Sequence, residues 1–355
     1  MRVLITGGAG FVGGNLAVGL AARHADWDVV ALDNLHRRGS ELNLPRLRQA
    51  GVQFLHGDVR DRDDLAAAGR VNAVVECSAE PSVLAGTDGS LDYLVETNLF
   101  GAYACLELCR RQDAQFVFLS TSRVYPVAHL LAARLEETET RFRLAEQQDV
   151  PGLSAHGISE TFPLDGARTF YGTTKLAAEH LVEEYAAAFG LATVVNRFGV
   201  IAGPWQMGKV DQGVLAYWML AHHFGRPLEY LGFGGSGKQV RDVLHVADAV
   251  DLIDRQLQDR DGWAGTVVNA GGGVEHSLSL VELTELCRQI TGKTTPVSAS
   301  NTERPGDVPL YASDCRYLFS LTDWRPARSV RDVLVDLGEW IAQNEDDLRR
   351  MDECP

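Results

Sequence analysis

In the segment FYGTTKLAAEH, Tyr171 and Lys175 stand four residues apart, a spacing that places both on one face of a helix. A tyrosine hydroxyl ionises near pH 10. Lowering that value by about three units, enough to let it accept a proton near neutrality, takes roughly 4 kcal/mol of selective stabilisation of the phenolate. A neighbouring ammonium, helped by a cationic ring on a bound group, can supply it. The stretch STSRVYP, residues 120–126, adds hydroxyls. It follows the apolar run QFVFL and stops at a proline, the signature of the carboxyl end of a buried strand, where open α/β sheets keep their chemistry.

A phosphate site is written at the amino end. Directly after RVLIT comes GGAGFVG, with Gly7, Gly10 and Gly13 at three-residue intervals. Glycines there let the backbone turn tightly and approach a pyrophosphate, whose charge then sits at the positive end of the next helix. The second strand-like run ends in Asp33, twenty residues past Gly13, placed to accept hydrogen bonds from an adenosine ribose. A carboxylate there also repels a 2′-phosphate, so the expected dinucleotide is NAD rather than NADP. A third run ends GDVR and puts Asp58 and Val59 at an adenine edge, although Gly-Asp is common turn chemistry as well.

These groups need a scaffold. RVLIT, DVVALD, VQFLHG, NAVVEC and QFVFLS alternate with stretches such as GNLAVGLAARH that carry apolar residues at helical spacing. Alternation of this kind predicts β-α-β crossovers and a doubly wound, Rossmann-like parallel sheet. After about residue 200 the regularity weakens and a smaller mixed α/β lobe is expected. The boundaries expected are 1–199 for the dinucleotide-binding domain, with return segments near 240–272, and 200–239 with 273–345 for a substrate-binding lobe. The acidic end 346–355 reads as a solvated or frayed tail. The 355 residues are 45% hydrophobic, and six scattered cysteines without a C-x-x-C pair suit a reducing compartment and no metal cluster. A net charge of −15 argues against nucleic acid as a partner. With no long apolar run and no leader, a cytoplasmic protein with no membrane partner is expected.

GGAGFVG, Asp33, the STSRVY strand end and Tyr171-x-x-x-Lys175 together resemble the extended short-chain dehydrogenase/reductase superfamily, whose members modify nucleotide-diphosphate sugars with bound NAD. The likeness spans nearly the whole chain. It implies Tyr171 as base, Lys175 as its electrostatic support and Thr121 as the hydroxyl that positions the reacting sugar oxygen. It also implies cofactor contacts from Gly7, Gly10, Phe11, Val12 and Gly13 in the first loop, from Asp33, Asn34, Asp58 and Val59 after the next two strands, and from Cys77, Ser78 and Ala79 after the fourth. Asn98, Ser120, Tyr171 and Lys175 complete that set. Sugar 4,6-dehydratases of the superfamily carry Asp-Glu after the threonine, whereas Ser122 and Arg123 stand here, which speaks for oxidation and reduction without elimination.

A narrower likeness, carried by ETETRF, VDQGVLAYW, GSGKQVRDVLH and NAGGGVEHSLSLVEL, is to the CDP-paratose (CDP-tyvelose) 2-epimerases. A nucleotide-sugar 4-epimerase, a sugar-nucleotide dehydrogenase and a non-catalytic NAD-binding regulator are the alternatives. Arg241 and Arg304 match positions that bind the substrate's diphosphate, or make surface ion pairs instead; Lys209 and Gln212 lie beside the VDQG stretch. Two departures stand out. Val200 falls where many relatives have a pyrophosphate-binding Asn, and ECSAEPSV replaces the usual His-Leu-Ala-Ala after the fourth strand, leaving Glu76 and Glu80 near the cofactor region. Glu80 reads as a loop residue. Pairing through helices like 91–111 and 171–188 implies a homodimer or homotetramer.

Overall fold

The computed structural model describes residues 1–82, 90–208, 212–300, 302–303 and 306–353. They form two compact units: Met1–Val124, Thr169–Arg197 and Ala249–Val268 make the first, and Tyr125–Arg168, Phe198–Asp248 and the chain from Asn269 onward make the second.

In the first unit the β-rich runs of the sequence become β1 (Arg2–Thr6), β2 (Asp28–Asp33), β3 (Gln53–His56), β4 (Ala73–Glu76) and β5 (Gln115–Thr121). The sheet has seven strands, in the order β3, β2, β1, β4, β5, Thr193–Phe198, Thr266–Ala270. The pairs β1/β2, β2/β3, β1/β4 and β4/β5 are parallel. Because β1 is flanked by β2 on one side and β4 on the other, the winding reverses there. A doubly wound sheet binds its ligand at the carboxyl ends around such a switch point. The expected fold class is the one found.

Strand alternation sets what lies beneath that end. Leu4, Val74, Phe116, Phe118 and Val195 pack on one face against Ala102, Cys105 and Leu106 of the helix Gly101–Gln112 and Ala178 and Val182 of the helix Phe170–Phe189. Burying each such large side chain contributes about 1.5–3 kcal/mol. Two residues further along each strand the same face carries Thr6, Glu76, Ser120 and Arg197, all buried. The apolar face therefore ends in a polar rim, and the helix Phe170–Phe189 crosses that rim.

The second unit has a mixed sheet. Val240–His245 pairs parallel with Val200–Ala202 and Leu310–Tyr311 and antiparallel with Ser277–Ser279. Trp218, Met219, Leu283, Cys287, Leu337 and Trp340 from three helices fill a core beside it. Ser279 and Ser329 start two of those helices with capping boxes, each side chain satisfying an orphan backbone donor. Residues 125–168, expected with the first domain, group with this unit. Their hairpin, Leu135–Glu137 with Phe142–Leu144, packs Leu135, Phe142 and Leu144 on Val240, Leu310 and Ala312. The acidic end is not a frayed tail as far as it is described: Glu345–Glu353 is helical, and Leu348, 5% exposed, joins the core. Four of the cysteines, Cys105, Cys109, Cys287 and Cys315, are buried free thiols. Among the described residues no helix is long and apolar enough to cross a membrane.

Candidate active site

The glycine loop is shaped by two close approaches. Gly7 has φ +62°, the left-handed region, and a Cβ there would lie 2.8 Å from the Cys77 carbonyl oxygen. A Cβ on Gly13 would lie 2.2 Å from the carbonyl oxygen of Gly7. Neither position admits a side chain, and the Gly10 amide closes the turn on the Gly7 carbonyl at 3.0 Å. The helix Phe11–Arg23 starts at Gly10 without a side-chain cap, so the first-turn amides around Phe11, Val12 and Gly13 face outward for an anion. This cradle fits the pyrophosphate of a dinucleotide. It also explains why Cys77 and Ser78, at the end of β4, lie against the loop.

Asp33 is held from both sides. One oxygen accepts from the Ala9 amide at 3.0 Å and the other from the Leu35 amide at 2.8 Å, and burial raises its pKa while those amides oppose the rise. Its neighbour Asn34 donates to Asp58 at 2.9 Å. Asp58 also takes Arg60 in an ion pair, and these bonds hold its carboxyl well below the usual range. Val59 is buried against Gly101, where a Cβ would come within 2.7 Å of it. Asn98, read as a cofactor contact, binds the protein itself: its oxygen accepts from the Glu80 amide at 2.8 Å and its nitrogen donates to the Glu80 carbonyl and to Thr174. Its effect on the loop that includes Ala79 is structural. Glu80 accepts from the Ser82 amide at 3.1 Å, in keeping with its reading as a loop residue.

Thr121, expected to position the reacting oxygen, closes β5, and Tyr171 and Lys175 stand on the helix Phe170–Phe189. Thr121 is 9% exposed and accepts from the Arg123 amide at 3.2 Å. The turn Ser122–Val124 that follows packs against the helix Phe170–Phe189. That helix is capped by Thr169, which accepts from the Gly172 amide, so Tyr171 stands half-buried in its first turn, where the helix dipole favours an anion.

Two of the helix's partners were not assigned to the site from the sequence. Lys175, 2% exposed, turns its ammonium to Glu76, fully buried at the end of β4, with Nζ 3.1 Å from Oε2. Glu179, one further turn along, accepts from Arg197 at 2.7 Å and from the Ser120 hydroxyl. Only the i+8 spacing from Tyr171 signalled Glu179. The acid in NAVVECSAE signalled Glu76, but its lysine lies 99 residues away.

Of the substrate residues, Arg241 lies in the second unit and its guanidinium donates to Asp307 and to the Val240 carbonyl. Gln212 is half-buried there, and its Oε1 has no partner among the described residues. Lys209 and Arg304 fall outside the described residues. The subgroup segments meet in this unit: Ser279 donates to the Thr140 carbonyl at 2.7 Å, Thr140 to Glu282 at 2.9 Å, and the Phe142 amide to the Lys238 carbonyl at 3.0 Å.

An uncapped glycine cradle, an aspartate closing the second strand and a Tyr-x-x-x-Lys helix on a doubly wound sheet are the parts of a dinucleotide-dependent enzyme. Residues 3–271 match the NAD dependent epimerase/dehydratase family, and the chain belongs to it, with NAD as its cofactor. Among curated relatives it is 30% identical to the CDP-paratose 2-epimerase of Salmonella typhi over 96% of this chain and 99% of that one. It is 28% identical to the UDP-glucose 4-epimerase of Erwinia amylovora, over 97% and 98%. The UDP-glucose 4-epimerase of Thermus thermophilus, solved in complex with NAD, superposes with a TM-score of 0.76 at 27% identity, over 96% of this chain and 99% of that one.

Proposed function

We propose that the enzyme is a nucleotide-sugar 2-epimerase acting on a CDP-hexose or CDP-deoxyhexose by transient oxidation at C2. The observation that carries this reading is the state of the acids around the reacting end. Ser122 and Arg123 occupy the turn where a dehydratase has its acidic pair, and Glu76 and Glu179 are each held in a buried ion pair. None of these is placed to protonate a leaving hydroxyl, which favours redox chemistry without loss of water. The choice of C2 is supported by the full-length similarity to a CDP-paratose 2-epimerase.

In this scheme Tyr171 accepts the proton of the C2 hydroxyl and Thr121 hydrogen-bonds the same oxygen, fixing it for transfer. Bound NAD supplies a reversible hydride acceptor. The resulting 2-ketosugar presents its other face, recovers the hydrogen at C2, and Tyr171 returns the proton to oxygen. Lys209, Gln212, Arg241 and Arg304 are proposed to hold the substrate, the arginines taking phosphate oxygens. Exposed Phe100 and Phe189 on helices of the first unit support assembly as a homodimer or homotetramer, and the cytoplasm is the proposed compartment.

A substrate deuterated at C2 tests the chemistry. The epimer is expected to keep its deuterium, and a reaction in heavy water to leave C2 free of solvent label. Washout of the label overturns the redox mechanism. A product inverted at C4 rather than C2 instead moves the enzyme to the 4-epimerases, the second reading, which similarity to UDP-glucose 4-epimerases favours.

A further inference from the structure

The side chain of Lys175 does not stand beside Tyr171 as an isolated ammonium. Its Nζ lies 3.1 Å from Glu76 Oε2 and 4.3 Å from the ring centroid of Phe118. In the sheet register Glu76 sits between Thr6 of β1 and Phe118 of β5, so three neighbouring strands frame the ammonium from the side away from solvent. The pair is almost wholly sealed, with side chains 2% and 0% exposed, and the second carboxylate oxygen, Oε1, is buried with no partner among the described residues. Such an arrangement costs stability. A buried ion pair is often no better than apolar residues of the same volume, and an orphaned acceptor adds a penalty of its own.

Among the described residues, the titratable groups coupled to Glu76 besides Lys175 are two thiols. Cys77, next along the chain, and Cys105, on the helix Gly101–Gln112, are kept protonated by burial and by the Glu76 charge. Glu179, on the same helix as Lys175, is matched by Arg197. Lys175 stands one helical turn from Tyr171 on the helix Phe170–Phe189, so Tyr171 shares the positive first turn of that helix with the ammonium's backbone.

We infer that Glu76 is a positioning residue of the reaction, holding the Lys175 ammonium at the end of β4 and moderating the positive field that this ammonium exerts on the Tyr171 hydroxyl. Two effects follow from the one carboxylate. It holds the buried ammonium in place by an ion pair, and it opposes the positive field that reaches the neighbouring turn of the helix. The inference rests on Tyr171 being the base.

Glu76→Gln removes the charge and keeps the shape. The measurement is an ultraviolet difference titration of phenolate absorbance in the NAD-loaded protein, with Tyr171→Phe as the blank, which follows ionisation without turnover. In Glu76→Gln the Tyr171 midpoint is expected to fall by at least about half a pH unit, the lower side of what a nearby charge does, and the acid limb of the turnover profile to move with it. Glu76→Asp, which keeps the charge, is expected to stay near the wild-type midpoint. Should the amide fail to fold, Glu76→His, largely neutral above about pH 7, gives a second uncharged side chain. A midpoint that neutral side chains leave in place, or raise, overturns the role of Glu76. A wild-type midpoint at the ordinary tyrosine value near 10 overturns instead the assignment of Tyr171 as base.

Discussion

Removing Glu179 should both destabilise the first unit and slow the enzyme. Its carboxylate accepts from Arg197 Nε at 3.2 and 3.1 Å and from Nη2 at 2.7 Å, and also from the Ser120 hydroxyl. Glu179 and Arg197 are 5% and 6% exposed, so water cannot replace what is lost. Truncating one partner of a buried pair costs about 3–5 kcal/mol; the isosteric Glu179→Gln, which keeps one acceptor, should cost about half of that. Glu179 lies two helical turns, roughly 12 Å, from Tyr171, and Ser120 adjoins Thr121, so the same contact ties base to positioning hydroxyl. A misplacement of about 1 Å between reacting groups can cost a hundredfold. Guanidinium denaturation of Glu179→Ala, Arg197→Met and the double variant measures the coupling, and turnover of Glu179→Gln at a temperature where it is fully folded reads the positioning. If Glu179→Ala loses less than about 1 kcal/mol and the two single effects simply add, the clip is not holding the site and the argument fails.

Other outcomes are expected from the same structure. Tyr171→Phe should cut turnover by at least about a hundredfold while NAD still binds, as checked by equilibrium titration of the cofactor. Asp33 should make NAD bind at least about tenfold better than NADP; equal affinities measured by calorimetry would show that its carboxylate does not face the ribose. Arg110 and Tyr185 hold the Glu107 carboxyl at about 2, below its ordinary value near 4.3. The stabilisation is therefore present above that ordinary value and disappears as pH falls toward 2; Glu107→Gln should flatten the acid side of a melting-temperature profile, though only modestly for a pair so near the surface.

Much of the first unit could be read directly from the chain. The glycine spacing, the terminal aspartate of β2 and the four-residue step from Tyr171 to Lys175 are local patterns, and local patterns survive without knowledge of what packs on them. Glu76 could not be read in this way. An acid closing the apolar run NAVV looks like the start of a turn until β4 is known to lie beside β1 and β5 beneath the helix that carries Lys175. The protein partners of Asn98 were hidden for a related reason: Glu80 and Thr174 come from two separate segments. The placement of 125–168 was hidden because its partners are distant in sequence: Leu135, Phe142 and Leu144 pack on Val240, Leu310 and Ala312. Likewise one leucine, Leu348, is enough to hold down an otherwise charged helix.

The first unit is assembled from three stretches of chain, and the last of them bears on how the molecule is made. Val250 occupies the space a side chain on Gly19 would need, Gln256 exchanges side-chain hydrogen bonds with Asn196 and accepts from Gln115 through its carbonyl, and Asp254 pairs with Arg23 and His24. During synthesis β1 to β5 leave the ribosome long before these residues exist. Roughly 140 residues separate Thr121 from Gln258, on the order of ten seconds at ordinary elongation rates. For that interval the nascent sheet lacks the segment that closes on Gly19 and Asn196, and a shortened product ending near residue 199 would carry Thr121, Tyr171 and Lys175 yet lack part of its own wall. The late segment makes completion of the cofactor-binding unit a checkpoint on synthesis of the chain as far as Val268.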